Sequence, residues 1–426
     1  MQFIHIMVRD IILKQKAELE QKLLEKYIRR ETVLKSIKSG LIHVIIGPRR
    51  SGKSFFGMHQ VSESGKFGFV NFDDERLLSV SDFDVILEAI QSVYSNPKLL
   101  LMDEIQNLPH WELVVNRLQR TGNQLILTGS NSNLLSSELT THLTGRHLPA
   151  YLFTFSFREY LLMIERSLTD AEQGEKFLDF LTNGGFPEPW MKALDFKDYV
   201  SVLFDATLFK DIVKRHRIRY PVALENLAIA LITNMANDFS FTSLAKQTHI
   251  SSVHTLQKYL AYLVEAFIFF TVPRFSFKVR EQQKSNKKIY CFDNGFYKAK
   301  GFQFSNDYGK LLENIIAIEL KKRSLCDGNQ LFYWKGREQE EVDFVIREGT
   351  RISQLIQVCW SAEQSRTLDR EIHSLLKASW DLKCNHLVVI TNNEERLEKV
   401  SWFGLEGEVE FIPARKWLLR QEIQGQ

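Results

Sequence analysis

Residues 47–54 read Gly47-Pro-Arg-Arg-Ser-Gly-Lys-Ser54, the spacing G-x-x-x-x-G-K-[ST]. An apolar, β-prone run, Leu41-Ile-His-Val-Ile-Ile46, precedes them. A plausible helix start, Phe55-Phe-Gly-Met-His-Gln60, follows. This strand–loop–helix frame constrains the chain more than any other feature, because the loop works only at the carboxyl end of a buried strand and the amino end of a helix. Its successive backbone N–H groups wrap phosphate oxygens, and the helix terminus adds partial positive charge. Gly47, Pro48, Arg49, Arg50, Ser51, Gly52, Lys53, Ser54 and Phe55 are therefore candidates to hold a nucleotide. Lys53 would reach the β- and γ-phosphates, and Ser54 would take a place on Mg²⁺.

A second motif agrees with the first. Lys98-Leu-Leu-Leu-Met-Asp-Glu104 reads as a buried parallel strand ending in two carboxylates. Ligands of open α/β sheets sit at the carboxyl ends of strands, so both acids would arrive beside the phosphates. Asp103 is the candidate to hold Mg²⁺, and Glu104 is the candidate general base for the attacking water. A third strand, Gln124-Leu-Ile-Leu-Thr-Gly-Ser-Asn131, brings Thr128, Ser130 and Asn131. They either sense the γ-phosphate and hold the lytic water or form an ordinary strand-end turn. Arg146, after Gly145, has two readings as well: an arginine finger toward its own or a neighbouring subunit's nucleotide, or a surface arginine in a turn.

The length of 426 residues suggests two to four domains. A net charge of +3 does not announce nucleic acid, so local clusters must carry that argument. Cys291, Cys326, Cys359 and Cys384 lack C-x-x-C spacing and read as thiols rather than metal ligands or disulfides. The sequence holds no signal-peptide pattern and no apolar run of transmembrane length, so a cytoplasmic location without membrane association is expected.

The expected organisation is a helical arm over 1–40, an ATPase core over 41–160 and a helical lid over 161–200. A winged helix-turn-helix over 201–290 and a nuclease-like domain over 291–426 complete it. In the arm, residues 10–40 read as helical, with Leu13, Leu19, Leu23, Leu24 and Ile28 as a broken apolar stripe. Asn183-Gly-Gly-Phe-Pro-Glu-Pro189 cannot continue a helix and reads as a corner. After the basic run Asp211–Arg219, Leu244, Ala245, Ile250, Val253, Leu256, Tyr259 and Leu260 fall at helix-turn-helix core spacing. Ser251, Ser252, His254, Thr255 and Lys258 would then face DNA. Phe267–Lys278 and Lys287–Tyr290 would pair as a wing with a basic tip, adding Lys284, Lys287 and Lys288. Such winged helices also serve as packing modules. Further on, the order of one helix, three strands, a helix and a strand is that of the restriction-endonuclease-like fold. Glu313 and Asp343 take two metal-ligand places there, but Gln357-Val-Cys359 stands where an E-x-K triplet is needed, so cleavage is not expected.

With these blocks in order, the chain resembles a prokaryotic family of AAA-superfamily ATPases. Its members carry a winged helix and a C-terminal domain of unknown function with a degenerate nuclease-like fold. The resemblance rests on Gly47–Ser54, Leu99–Gln106, Leu127–Ser136, Leu143-Thr-Gly-Arg146, Gly184-Gly-Phe-Pro-Glu188, Phe292-Asp-Asn-Gly-Phe296, Glu313-Asn314, Glu341-Val-Asp-Phe344 and Gln357-Val-Cys359. It implies an α/β fold with ATP and Mg²⁺ bound by Lys53 and Ser54, and hydrolysis assisted by Asp103 and Glu104. Arg146 would be a finger or sensor. The leading functional expectation is an ATPase that grips or remodels DNA, with a ring-shaped homo-oligomer supplying Arg146 in trans. A nucleotide-gated switch with slow hydrolysis is the alternative, and an ATP-regulated nuclease is a weaker one.

Overall fold

The computed structural model describes residues 2–34, 37, 40–80, 82–129, 146–250, 252–302, 307–360 and 365–420. They form two compact units, Met1–Thr154 with Glu265–Phe267, and the remainder of the chain.

The first unit is built on five strands: β1 (Ile42–Ile46), β2 (Phe67–Asn71), β3 (Leu99–Asp103), β4 (Gln124–Gly129) and β5 (His147–Tyr151). All pairings are parallel, in the order β2-β3-β4-β1-β5. β1 and β3 are buried along their whole length, which is why each reads as a continuous apolar run. The order inserts β4 between β1 and β3. Its end therefore lies between the phosphate loop and the Asp103-Glu104 pair.

The amino-terminal helix spans Gln2–Lys22, not residues 10–40. Val8, Ile11, Ile12 and Leu19 are its buried stripe, whereas Leu13 and Leu24 are exposed. The chain then runs without helix through residues 26–34. Arg30 explains the change. Its buried guanidinium donates to the carbonyls of Ser51 (2.8 Å), Phe153 (2.6 Å) and Thr154 (3.4 Å). An extended segment lets one side chain tie the phosphate loop to the exit of β5.

The helices expected as a lid over 161–200 belong to the second unit. Phe157, Tyr160, Phe177 and Phe180 pack ring against ring there. The Gly184-Gly185 corner is a packing requirement. A β-carbon on Gly184 would collide with the Asp293 carboxylate, and one on Gly185 with the Phe155 carbonyl. Asp293 accepts the Gly185 N–H and the Gly295 N–H, each at 2.8 Å. Asn294 donates to the carbonyls of Leu181 and Leu311, and Asn314 donates to Asn294. These motif residues thus satisfy buried backbone groups.

Further along lie β6 (Asp238–Phe239), the helices Phe241–Thr248 and Val253–Glu265, β7 (Phe269–Pro273) and β8 (Lys287–Cys291). The three strands form an antiparallel sheet in the order β6-β8-β7. The helix pair and the hairpin lie where the sequence placed them. The expected polar tip is instead a short helix, Val279–Lys284. Another helix, Tyr308–Asp327, leads into a six-stranded sheet of β9 (Gln330–Lys335), β10 (Glu341–Glu348), β11 (Arg351–Cys359), β12 (Leu387–Thr391), β13 (Arg396–Trp402) and β14 (Leu405–Pro413). The helix Ser365–Leu382 connects β11 to β12. Cys291, Cys359 and Cys384 are buried, and Cys326 is exposed. Among the described residues, no helix is long and apolar enough to cross a membrane.

Candidate functional site

The loop 47–52 leaves β1 at its carboxyl end and turns directly into the helix Lys53–Glu63. Gly47 is required because a β-carbon would run into the Leu152 carbonyl. Gly52 is required because it sits at φ +92°, in the left-handed region. Together they hold the loop's amides close to the helix terminus. Lys53 is buried, with Nζ donating to the Pro48 carbonyl at 2.7 Å, so the ammonium lies folded over the loop. The Ser51 hydroxyl is buried and has no hydrogen-bond partner among the described residues.

Asp103 ends β3 and is 3% exposed. The Thr128 hydroxyl donates to its carboxylate, and the Ser54 side chain lies close enough to lower its pKa. Burial, and then the Glu104 charge, push Asp103 up to about 6; the two hydroxyls and Lys53 oppose the rise. Ser54 and Asp103 thus offer a pair of hard oxygens next to the phosphate loop, a donor set that fits Mg²⁺. Glu104 follows in the left-handed conformation at φ 50°. Its N–H donates to Thr128 Oγ1 at 3.1 Å, and the Gln106 amide donates to its carboxylate.

Thr128 is therefore not free to sense a phosphate. It is fully buried, and its hydroxyl holds Asp103 on one side and the Glu104 backbone on the other. Ser130 and Asn131 lie outside the described residues. Arg146 is exposed at the amino end of β5, where its carbonyl accepts the Ile42 N–H at 3.0 Å. The phosphate loop is at the other end of β1, about 16 Å away at ~3.3 Å per residue. The reading that Arg146 reaches its own nucleotide is thereby excluded.

In the second unit, Ser252, His254 and Lys258 are exposed and Thr255 is half-buried. Ser252 caps its helix by accepting the Thr255 N–H at 3.3 Å. Lys284 and Lys287 are exposed, but Lys288 is 2% exposed and, contrary to expectation, cannot touch DNA. Its ammonium donates to Glu313 (3.0 Å) and Asp343 (2.8 Å) and forms an ion pair with Glu341 (2.7 Å). The strand pleat is the cause, turning Lys287 outward and Lys288 inward.

Glu313 and Asp343 do converge, as expected, and Gln357 joins them as a bridge. Its Oε1 accepts the Asp343 N–H at 3.2 Å, and its Nε2 donates to Glu371. Tyr290 donates to Glu313 at 2.7 Å. Burial, then the neighbouring Asp343 charge, push Glu313 up to about 7. Burial alone would lower the Lys288 pKa, yet Asp343 and Glu313 outweigh it and hold the group well above the ordinary lysine range. Lys288, Tyr290, Glu341 and Glu371 were missing from the sequence-based set of acid-cluster residues. Only their three-dimensional approach marks them.

Residues 39–161 match an AAA domain, residues 174–305 the domain of unknown function DUF8612, and residues 308–409 the domain of unknown function DUF4143. An uncharacterized Haemophilus influenzae protein is 28% identical over 368 residues, covering 81% of this chain and 90% of that one. The solved Walker-type ATPase paby2304 of Pyrococcus abyssi covers 65% of this chain and 93% of its own, at 14% identity and a TM-score of 0.41. The uncharacterized Methanocaldococcus jannaschii protein MJ1544 is 34% identical over 416 residues, 92% of this chain and 91% of that protein. This chain belongs to the same family as MJ1544, and its first unit carries the AAA-type, P-loop ATPase domain.

Proposed function

We propose that the protein binds Mg-ATP and hydrolyses it slowly until a partner, DNA in the leading reading, engages the second unit. The observation that carries the ATPase reading is the convergence of Lys53, Ser54, Asp103 and Glu104 at the carboxyl ends of β1 and β3. When bound, Mg²⁺ would neutralise phosphate charge. Ser54 and Asp103 would hold it, Lys53 would swing from the Pro48 carbonyl to the phosphates, and Glu104 would take a proton from water. Lys53→Ala should abolish nucleotide binding. Glu104→Gln should keep binding and stall turnover; normal turnover in that variant would remove Glu104 from the base role.

Slow basal hydrolysis is favoured by the Gln106 amide bonded to the Glu104 carboxylate, which competes with a water for the same oxygen. This supports the switch reading alongside the motor reading. In an assembled ring, Arg146 would serve a neighbour's nucleotide; Arg146→Ala that hydrolyses normally in the assembled state ends that assignment.

The DNA reading is supported by a basic surface larger than the wing tip. Lys210, Lys214, Arg215, Arg217 and Arg219 are exposed. The His216 ring stacks on Tyr262 at 3.6 Å, and Lys258 Nζ lies 5.9 Å from the same ring, which joins this run to the Val253–Glu265 helix. Part of the run, Thr207–Lys214, is a π-helix, a form often found at functional sites. For each phosphate the protein ceases to neutralise, the slope of log affinity against log salt should become shallower by about 0.9. Charge removal at Lys210, Lys214, Arg215 and Lys258 that leaves DNA affinity and ATPase stimulation unchanged would refute the DNA reading.

A further inference from the structure

The acids on the Tyr308–Asp327 helix and on β10 enclose a cation that belongs to the chain itself. Lys288 comes from β8, a strand of the small antiparallel sheet, and its side chain enters the neighbouring sheet's acidic cluster. Three carboxylate oxygens, from Glu313, Glu341 and Asp343, lie within ion-pair distance of its ammonium, and the residue is 2% exposed. Glu341 and Asp343 share one face of β10, and Glu313 reaches them from the Tyr308–Asp327 helix, so the helix must pack on the strand to complete the group. Two of them are further oriented by neutral donors, Glu313 by Tyr290 and Asp343 by the Val358 N–H at 3.0 Å. A buried carboxylate group of this kind is strongly unfavourable without a positive charge at its centre.

We propose that Glu313, Glu341 and Asp343 form a cation site whose resident cation is the tethered Lys288 ammonium, which excludes divalent metal from the second unit. The oxygens stand 2.7–3.0 Å from Nζ. Calcium needs about 2.3–2.6 Å, so the shell would have to contract by only a few tenths of an ångström to hold a metal ion in place of the ammonium. The lysine also joins β8 to the following domain, so the same contact is a charge lock between two sheets. Metal-assisted phosphodiester cleavage at these acids is thereby excluded in the native chain. This inference is independent of the nucleotide reading.

The test is Mn²⁺ binding, followed by electron paramagnetic resonance on nucleotide-free protein carrying Asp103→Asn, which removes the carboxylate ligand of the first unit's candidate metal site. With Lys288 intact, no tight site is expected. Lys288→Ala should gain one Mn²⁺ per chain, and adding Glu313→Gln should weaken that site by at least about tenfold. Lys288→Arg, which keeps the charge, should gain none. A folded Lys288→Ala protein that takes up no more Mn²⁺ than its parent overturns the proposal, as does a gained site indifferent to Glu313→Gln. If Lys288→Ala does not fold, the combined variant Lys288→Met, Glu313→Gln, Asp343→Asn should fold, because the lysine and the two most buried acids lose their charge together while Glu341 still pairs with Lys335 at 3.5 Å. Failure of that variant as well overturns the role of Lys288 as counter-ion.

Discussion

Replacing Thr128 by valine keeps the shape of a fully buried side chain and deletes one hydroxyl. Two bonds go with it: the hydroxyl's donation to Asp103, and the Glu104 N–H donation at 3.1 Å. A hydrogen bond to a charged group contributes about 1.5–3 kcal/mol. At about 1.36 kcal/mol per pKa unit, its loss lifts Asp103 by roughly one to two units. Asp103 already sits at about 6, because burial outweighs its hydroxyl partners. The variant's midpoint should therefore lie at roughly 7–8. The sign follows from the protonated form being favoured: at neutral pH the variant carries a neutral Asp103, and Mg²⁺ must displace its proton. Mg-dependent nucleotide affinity at pH near 7 should fall about tenfold and return at higher pH, whereas affinity in EDTA should not change. A fluorescent ATP analogue titrated across pH, with and without Mg²⁺, reads this directly. Thr128→Ser, which keeps the hydroxyl, should restore the parent midpoint. A Thr128→Val protein of normal fold whose Mg-dependent affinity follows the wild-type pH curve would refute the argument that this hydroxyl tunes Asp103.

Other outcomes follow from the same geometry. Arg30→Met removes three carbonyl hydrogen bonds, each worth about 1.5–3 kcal/mol when the donor is charged, and should lower stability and loosen nucleotide binding together; a variant with normal melting and affinity would show that the loop does not need this tie. Gln106→Ala should raise basal ATP turnover by freeing the Glu104 carboxylate, and an unchanged rate would count against the held-base reading. Glu313 binds its proton more tightly when folded, about 7 against 4.5, so wild-type stability relative to Glu313→Gln should rise as pH falls from about 7 toward 4.5, by roughly 3 kcal/mol at most. Denaturant midpoints of both proteins across that range test it, and a constant difference refutes it. Gly184→Ala should prevent proper folding of the second unit, because its β-carbon meets the Asp293 carboxylate; soluble protein of native stability would contradict that packing.

The phosphate loop, β3 with its acidic end, the helix pair with the β7–β8 hairpin, and the helix and strands from Tyr308 to Thr391 were legible along the chain because each depends on neighbours within one element. Apolar runs, a glycine at positive φ and a lysine at a helix start are local signals. The grouping of the 161–200 helices with the second unit was not legible, because helical periodicity says which face is buried but not what buries it. β13 and β14 were not anticipated; β13 alternates half-buried and exposed side chains.

By itself, the sequence determined that a strand, a phosphate loop and a helix follow one another here, since backbone geometry and side-chain type suffice for that. Tertiary structure alone decided three other matters. Strand order set Thr128 between the loop and Asp103, so a residue that reads as a sensor became a support. The direction of β5 put Arg146 at the edge opposite the loop. The pleat of β8 separated two adjacent lysines, leaving Lys287 in water and burying Lys288 among three carboxylates. The physical reason is common to all three: a side chain's partners across a sheet come from distant segments, and register and direction choose them.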